Sequence, residues 1–160
     1  TISDGNQSNL LTAADLSEST LETALTTVQK IKDDRGILIG ASAVCLHIPV
    51  DSWAIADKIL SSPGNTGASA AQANPNTNAI NAIRHMGMVP DGYYINRRFT
   101  DTDAWFVKTD VPNGTKMFIR SPLQTKMEPD FDTGNLRFKA RERYSFGVSD
   151  WSGFFGNAGN

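Results

Sequence analysis

Cysteine is almost absent from this 160-residue chain, which contains only Cys45. A single thiol forms no internal disulfide and builds no thiolate metal site, so disulfide-rich secreted scaffolds are excluded. Histidine is also scarce, since His47 and His85 are the only two. One lies in an apolar stretch and the other beside Met86, and neither belongs to a hydrolytic triad. The sequence therefore predicts no catalytic residues and no enzyme.

Long apolar runs are missing as well. The longest, residues 37–49, is interrupted by Gly40, Ser42 and His47, whereas a membrane-spanning helix needs about 20 consecutive apolar residues. We therefore expect no membrane partner. The chain opens without a signal peptide or an initiator Met, so we expect a processed chain or a piece of something longer. A net charge of −2 argues against a free-standing nucleic-acid binder.

Motifs for phosphate and metal ions are incomplete. Gly64 and Gly67 lack the Lys-Ser/Thr pair of a phosphate-binding loop. The runs 130–134 (Asp-Phe-Asp-Thr-Gly) and 101–103 (Asp-Thr-Asp) are similar to the start of a calcium loop. They lack the further oxygen ligand and the bidentate Glu of that loop, so turn formation explains them better. We predict neither a cofactor nor a metal site.

Apolar spacing predicts helices and short strands in the first half. A stripe repeating every three or four residues favours a helix over about residues 17–34, started by Ser17 or Thr12. β-branched runs favour strands at 37–39 and 44–48, and Asp51 is a candidate cap for a second helix. Residues 61–78 have no charge and no aromatic ring, which is typical of a long mobile loop.

The second half contains aromatic-rich segments typical of strands. We predict them at 93–96, 104–109, 116–120 and 136–146, with a short helix near 80–86. Residues 111–114 (Val-Pro-Asn-Gly) indicate a hairpin turn, and residues 130–135 a second turn. Helices and short strands followed by an antiparallel run predict an α+β fold, with helices on a mixed or antiparallel sheet. The predicted shared core is Leu21, Leu25, Val28, Trp53, Ile59, Trp105 and Phe106.

The most distinctive pattern lies near the end of the chain, where cationic residues alternate with others. Because side chains alternate between the two faces of a strand, one face is basic over about 20 Å at ~3.3 Å per residue. Two interpretations remain open, a solvated sheet face with local acidic partners or an interface with another subunit or a polyanion. The residues of this candidate interface are Arg137, Lys139, Arg141 and Arg143.

Several segments, taken in order, resemble the C-terminal part of tailed-bacteriophage major capsid proteins, which share the Hong-Kong-ninety-seven-type shell fold. Their order and spacing over about residues 17–156 carry the resemblance. The segments are 32–36 (Lys-Asp-Asp-Arg-Gly), 46–50 (Leu-His-Ile-Pro-Val), 56–62 (Ala-Asp-Lys-Ile-Leu-Ser-Ser), 74–76 (Asn-Pro-Asn), 103–106 (Asp-Ala-Trp-Phe), 142–147 (Glu-Arg-Tyr-Ser-Phe-Gly) and 150–153 (Asp-Trp-Ser-Gly).

The resemblance implies an organisation for the chain. Residues 1–16 would be a flexible linker, 17–134 an axial-domain-like core with the mobile loop 61–78, 135–156 a strand returning to the peripheral domain, and 157–160 a tail. The N-terminal arm, extended loop and spine helix of that family have no counterpart in these 160 residues.

The resemblance also implies a function, that of a structural subunit of an icosahedral capsid enclosing double-stranded DNA. The implied partners are copies of itself in hexamers and pentamers, scaffolding and portal proteins, and packaged DNA. The implied location is the virion capsid, assembled in the bacterial cytoplasm. The alternatives are another phage-derived structural or assembly protein with an α+β core and, less favoured, a small ligand-binding module.

Overall fold

The computed structural model describes residues 8–64 and 80–160, so most of the predicted loop 61–78 lies outside the described residues. Its elements confirm the α+β prediction. The helices are α1 (Glu18–Gln29), α2 (Trp53–Ser61) and α3 (Ala82–His85), with short 3₁₀ turns at Val50–Ser52 and Trp151–Gly153. The strands are β1 (Ala43–Ile48), β2 (Tyr93–Ile95), β3 (Trp105–Thr109), β4 (Thr115–Pro129), β5 (Leu136–Val148) and β6 (Phe154–Asn157).

Four short strands form a mixed sheet in the order β2-β1-β3-β6. β1 pairs with β2 in parallel and with β3 in antiparallel, and β6 pairs antiparallel with β3. Alternate side chains of these strands, such as Leu46, Trp105 and Phe155, are buried in one core with the apolar faces of α1 and α2. The helices therefore cover one face of the mixed sheet, as predicted.

α1 begins at a capping box. The Ser17 hydroxyl accepts the Thr20 backbone N–H, and the Thr20 hydroxyl accepts the Ser17 N–H. The helix ends at Gln29, earlier than the predicted residue 34, because the chain turns back at Asp33. The Asp33 carboxylate accepts backbone N–H groups from Arg35 and Ile37, and this turn leaves residues 37–39 with one isolated bridge instead of the predicted strand.

The start of the second helix also differs from the prediction. Asp51 lies inside a 3₁₀ turn, and the cap position is Ser52, which makes no side-chain capping bond. Trp53 at the first helical position is 52% exposed, so its predicted place in the core is wrong. Phe106 lies on the opposite sheet face from Trp105, where it contacts the rings of Phe99 and Phe154. The other five predicted core residues are buried together.

The N-terminal segment extends the mixed sheet beyond β6. Leu11 donates its backbone N–H to the Gly156 carbonyl, and Gly156 donates to the carbonyl of Asn9. The buried Asn157 side chain donates to the Thr12 carbonyl and accepts from the backbone of Ala14. Residues 9–14 are thus hydrogen-bonded along the edge of the sheet.

The predicted hairpin at 111–114 is wrong, although a turn is present there. Asn113 has a φ of 72°, as an Asn-Gly turn requires. The turn joins β3 to β4, which belong to different sheets, because both edges of β3 are already paired with β1 and β6.

No helix among the described residues is long and apolar enough to cross a bilayer.

Candidate functional site

The second sheet is a ribbon of two long strands, β4 and β5. They pair antiparallel from Thr115 opposite Val148 to Pro129 opposite Leu136. The turn at 130–135 joins them, as predicted, with Gly134 donating its N–H to the Asp130 carbonyl. The pairing is irregular at two places, between Ile119 and Ser121 and between Ser121 and Gln124, so β4 has more residues than the facing part of β5.

One face of this ribbon has the four predicted cationic side chains, Arg137, Lys139, Arg141 and Arg143, which occupy alternate positions of β5 and are exposed. The β4 residues directly opposite are Glu128, Lys126, Gln124 and Ser121. We call these four cations together with Lys126 the basic ribbon face. Lys126 extends the cationic pattern onto the second strand.

The charges on the basic ribbon face are only partly balanced. Arg137 donates from Nη2 to Oδ2 of Asp130 at 2.6 Å, and this carboxylate also accepts from the Thr133 hydroxyl. Lys139 lies opposite Lys126, a like-charged cross-strand pair that is destabilising in isolation. Arg141 and Arg143 form no ion pair with a described carboxylate. The arrangement therefore offers guanidinium and ammonium groups to an anionic partner.

The other face of the ribbon is apolar and equally exposed. The register brings Phe138 opposite Met127, Tyr144 opposite Ile119 and Phe146 opposite Met117. We define the apolar ribbon face as the large apolar side chains that the register places on this side, each 51–71% exposed: Met117, Ile119, Met127, Leu136, Phe138, Tyr144, Phe146 and Val148.

The sequence did not predict the roles of Lys126 and of the β4 half of the apolar ribbon face, because the positions of these residues depend on how the two strands pair. Counting outward from the turn at 130–135 pairs Lys126 with Lys139 and Met127 with Phe138. Counting in this way predicts the strand pairing in the half of the ribbon nearest the turn. Beyond Gln124 it fails, because the irregularities in β4 shift the register.

The histidine and cysteine side chains lie apart from the ribbon. His47 on β1 is half-buried between the rings of Tyr94 and Phe154, and its pKa is lowered by burial and then by the charge of Lys108. Burial raises the pKa of the Cys45 thiol, with a smaller contribution from Asp91. A cysteine with a raised pKa is a poor nucleophile.

The Asp-rich turns use their carboxylates for local backbone contacts. The Asp101 carboxylate accepts the backbone N–H groups of Asp103 and Ala104, and Asp130 is bound by Thr133 and Arg137. Turn formation is thus the role of both runs, as the sequence analysis favoured. Within residues 8–64 and 80–160, no three His, Cys, Asp or Glu side chains are grouped to hold a metal ion.

The chain was also compared with known proteins. The sequence model of a family described as phage capsid protein matches residues 1–157, nearly the whole chain. The curated proteins give no match.

Proposed function

Because this chain belongs to the phage capsid protein family, we propose that it is a major capsid subunit that assembles into the icosahedral shell of a tailed phage or prophage. Membership of the family makes its role structural and its location the virion capsid. The observation that carries the finer proposal is the family match over residues 1–157, supported by the ordered segments that resemble tailed-phage major capsid proteins.

The proposal includes the partners and the place of assembly. Copies of the chain form hexamers and pentamers in the bacterial cytoplasm, with scaffolding and portal proteins as further partners and double-stranded DNA enclosed. Residues 17–134 contribute the axial domain around the capsomer centre, and residues 135–156 return to the peripheral domain.

The basic ribbon face serves in this proposal as a contact with an adjacent subunit. Arg141 and Arg143 are exposed and their planar guanidinium forks hold carboxylates in a fixed geometry, which a symmetric contact needs. Packaged DNA needs only diffuse counter-charge. The directed hydrogen bonding of these guanidinium groups therefore favours a contact between subunits over a position facing DNA in the shell lumen.

We propose the acidic partners on the neighbouring subunit from α1 and the turn that follows it. Of the four acidic residues on and after α1, Glu18 is buried and the Asp33 carboxylate already binds two backbone N–H groups. Glu22 and Asp34 are exposed. These two are the partners on α1 and its following turn that we propose for the basic ribbon face of the next subunit.

Charge reversal on the ribbon tests this contact. We expect the double variant R141E/R143E to assemble poorly because two attractive contacts per interface become repulsive, while its free energy of unfolding changes by less than about 1 kcal/mol, as is usual for exposed sites. The measurements are sedimentation velocity and electron microscopy for assembly, and urea unfolding for stability.

The matched control is R97E/R98E, which makes the same charge change at exposed residues outside the ribbon. This control should assemble as the unchanged chain does. If R141E/R143E assembles normally and its shells hold less DNA, the basic ribbon face lines the lumen and the subunit contact is wrong. If the unchanged chain forms no shell under any condition, including with scaffolding protein, the capsid proposal itself is wrong.

A further inference from the structure

The apolar ribbon face leaves eight large apolar side chains exposed to water on one side of a two-stranded sheet. Monomeric proteins rarely expose a contiguous apolar area of more than a few hundred Å². A two-stranded ribbon with no packed face is also at best marginally stable. The ribbon therefore requires a cover that the rest of the described chain does not supply.

We infer that the apolar ribbon face of one copy packs against the same face of a second copy of this chain. The inference rests on the proposed function, since it assigns one of the self-contacts that a capsid subunit must make. It adds a surface that the basic ribbon face does not include, on the opposite side of the same two strands.

The charges on the two faces of the ribbon indicate which face contacts the same face of a second copy. On the basic ribbon face, Lys126 and Lys139 already face each other, and a second such face would add more like charge. The apolar ribbon face has a single charged β5 residue, Glu142, opposite the irregularity in β4. The uniformly cationic face repels its own copy, whereas the largely apolar one does not, so we place self-association on the apolar ribbon face.

The exposed area is large enough for a specific contact. Aromatic side chains bury about 150–250 Å² each, and three of them together with five large aliphatic ones, all more than half exposed, present on the order of 1,000 Å² per copy. A standard protein interface buries about 800 Å² on each partner. Burial of the apolar ribbon face alone meets that requirement.

The arrangement of side chains along the ribbon indicates an antiparallel pairing. Near the mixed sheet, the rings of Tyr144 and Phe146 meet edge to face with centroids 5.4 Å apart, and Met117 and Phe146 line a shallow depression of about 510 Å³. Near the tip, Phe138 projects opposite Met127. A two-fold axis near Glu142, the middle of β5, seats Phe138 of each copy in the depression of the other.

Introducing a charge on one face or the other tests this pairing. We expect F138E to raise the dissociation constant of the dimer at least about tenfold, because a carboxylate would be buried among apolar groups. The matched control is F118E, since Phe118 is 54% exposed on the same ribbon but lies opposite Ser145 on the basic side. This control should change the constant by less than about threefold. The readout is sedimentation equilibrium of the full chain, with circular dichroism showing that both variants fold.

Two further variants test the two-fold arrangement. E142Q should tighten the dimer several-fold, because the axis brings two carboxylates together. The pair M117C/F138C should form a covalent dimer on oxidation, whereas M117C or F138C alone should form much less.

Three outcomes of the dimer measurements would overturn the inference: a chain that stays monomeric up to about 100 µM, equal weakening by F118E and F138E, or a dimer that F138E leaves unchanged. The last would indicate pairing through the strand edges. If F138E assembles into normal shells while R141E/R143E does not, the capsid proposal stands and this inference falls.

Discussion

Trp105 links three parts of the molecule through one side chain. Its ring is 1% exposed in the core beneath α1 and α2, and its Nε1 donates to the Ala14 carbonyl at 3.1 Å. Its strand pairs with β6, so the same residue contacts the helices, the N-terminal segment and the C-terminal strand. Removing the ring therefore leaves a cavity and an unpaired carbonyl.

We expect W105A to lower the free energy of unfolding by about 3–5 kcal/mol, the usual cost of truncating a buried aromatic side chain. The measurement is urea unfolding followed by far-ultraviolet circular dichroism. The matched control is W53A, because Trp53 is half exposed at the start of α2. A loss below about 1 kcal/mol for Trp105, or an equal loss for both tryptophans, would contradict the packing described.

At the scale of elements, the sequence predicted the boundaries that depend on contacts between residues close together in the chain. The capping box of Ser17 and Thr20 and the turn at 130–135 involve residues within a few positions of one another, and the sequence predicted both element boundaries closely. The exposure of Trp53 and the path of the chain after the turn at 111–114 depend on distant parts of the fold. Asn113 adopts the predicted left-handed conformation, yet only the pairing of β3 with β1 and β6 decides where the chain then goes.

The joint between the two sheets is a close backbone contact. Gly114, just before β4, lies against Gly153, just before β6, so that a Cβ on Gly114 would come within 2.8 Å of the Gly153 Cα. Ser149 also donates its N–H to the Gly114 carbonyl at 3.1 Å. These contacts set where the ribbon leaves the mixed sheet.

We expect G114A to cost about 1–3 kcal/mol in the free energy of unfolding, because backbone atoms must move apart to admit the methyl group. G147A is the matched control, since its Cβ would meet only the Phe118 ring at an ordinary 3.5 Å. Thermal unfolding of the two variants separates them. Equal stability of both would show that the two glycines are not packed as described.

At the scale of the whole molecule, stability is unevenly distributed. The mixed sheet buries Leu46, Val107 and Phe155 against helices, whereas none of the large apolar side chains of the ribbon is buried. The sequence predicted most of β5 and only the first part of β4, and it did not predict this inequality, because exposure depends on what packs against each face. The same ribbon has the basic and apolar faces proposed for contacts between subunits, so assembly would order the part that is least buried among residues 8–64 and 80–160.

This inequality predicts two levels of hydrogen exchange in a dilute, unassembled chain. Amides of β4 and β5 should exchange much faster than those of β1 and β3, because a ribbon without a packed face opens at a lower free energy than the core. Exchange measured by mass spectrometry on dilute and assembled protein tests this. In the assembled protein, the ribbon amides should become protected while those of β1 and β3 change little. At high dilution, the ribbon amides could instead be as strongly protected as those of Leu46 and Val107. That result would contradict the prediction, because it would mean that a single chain stabilises the ribbon although both of its faces are exposed.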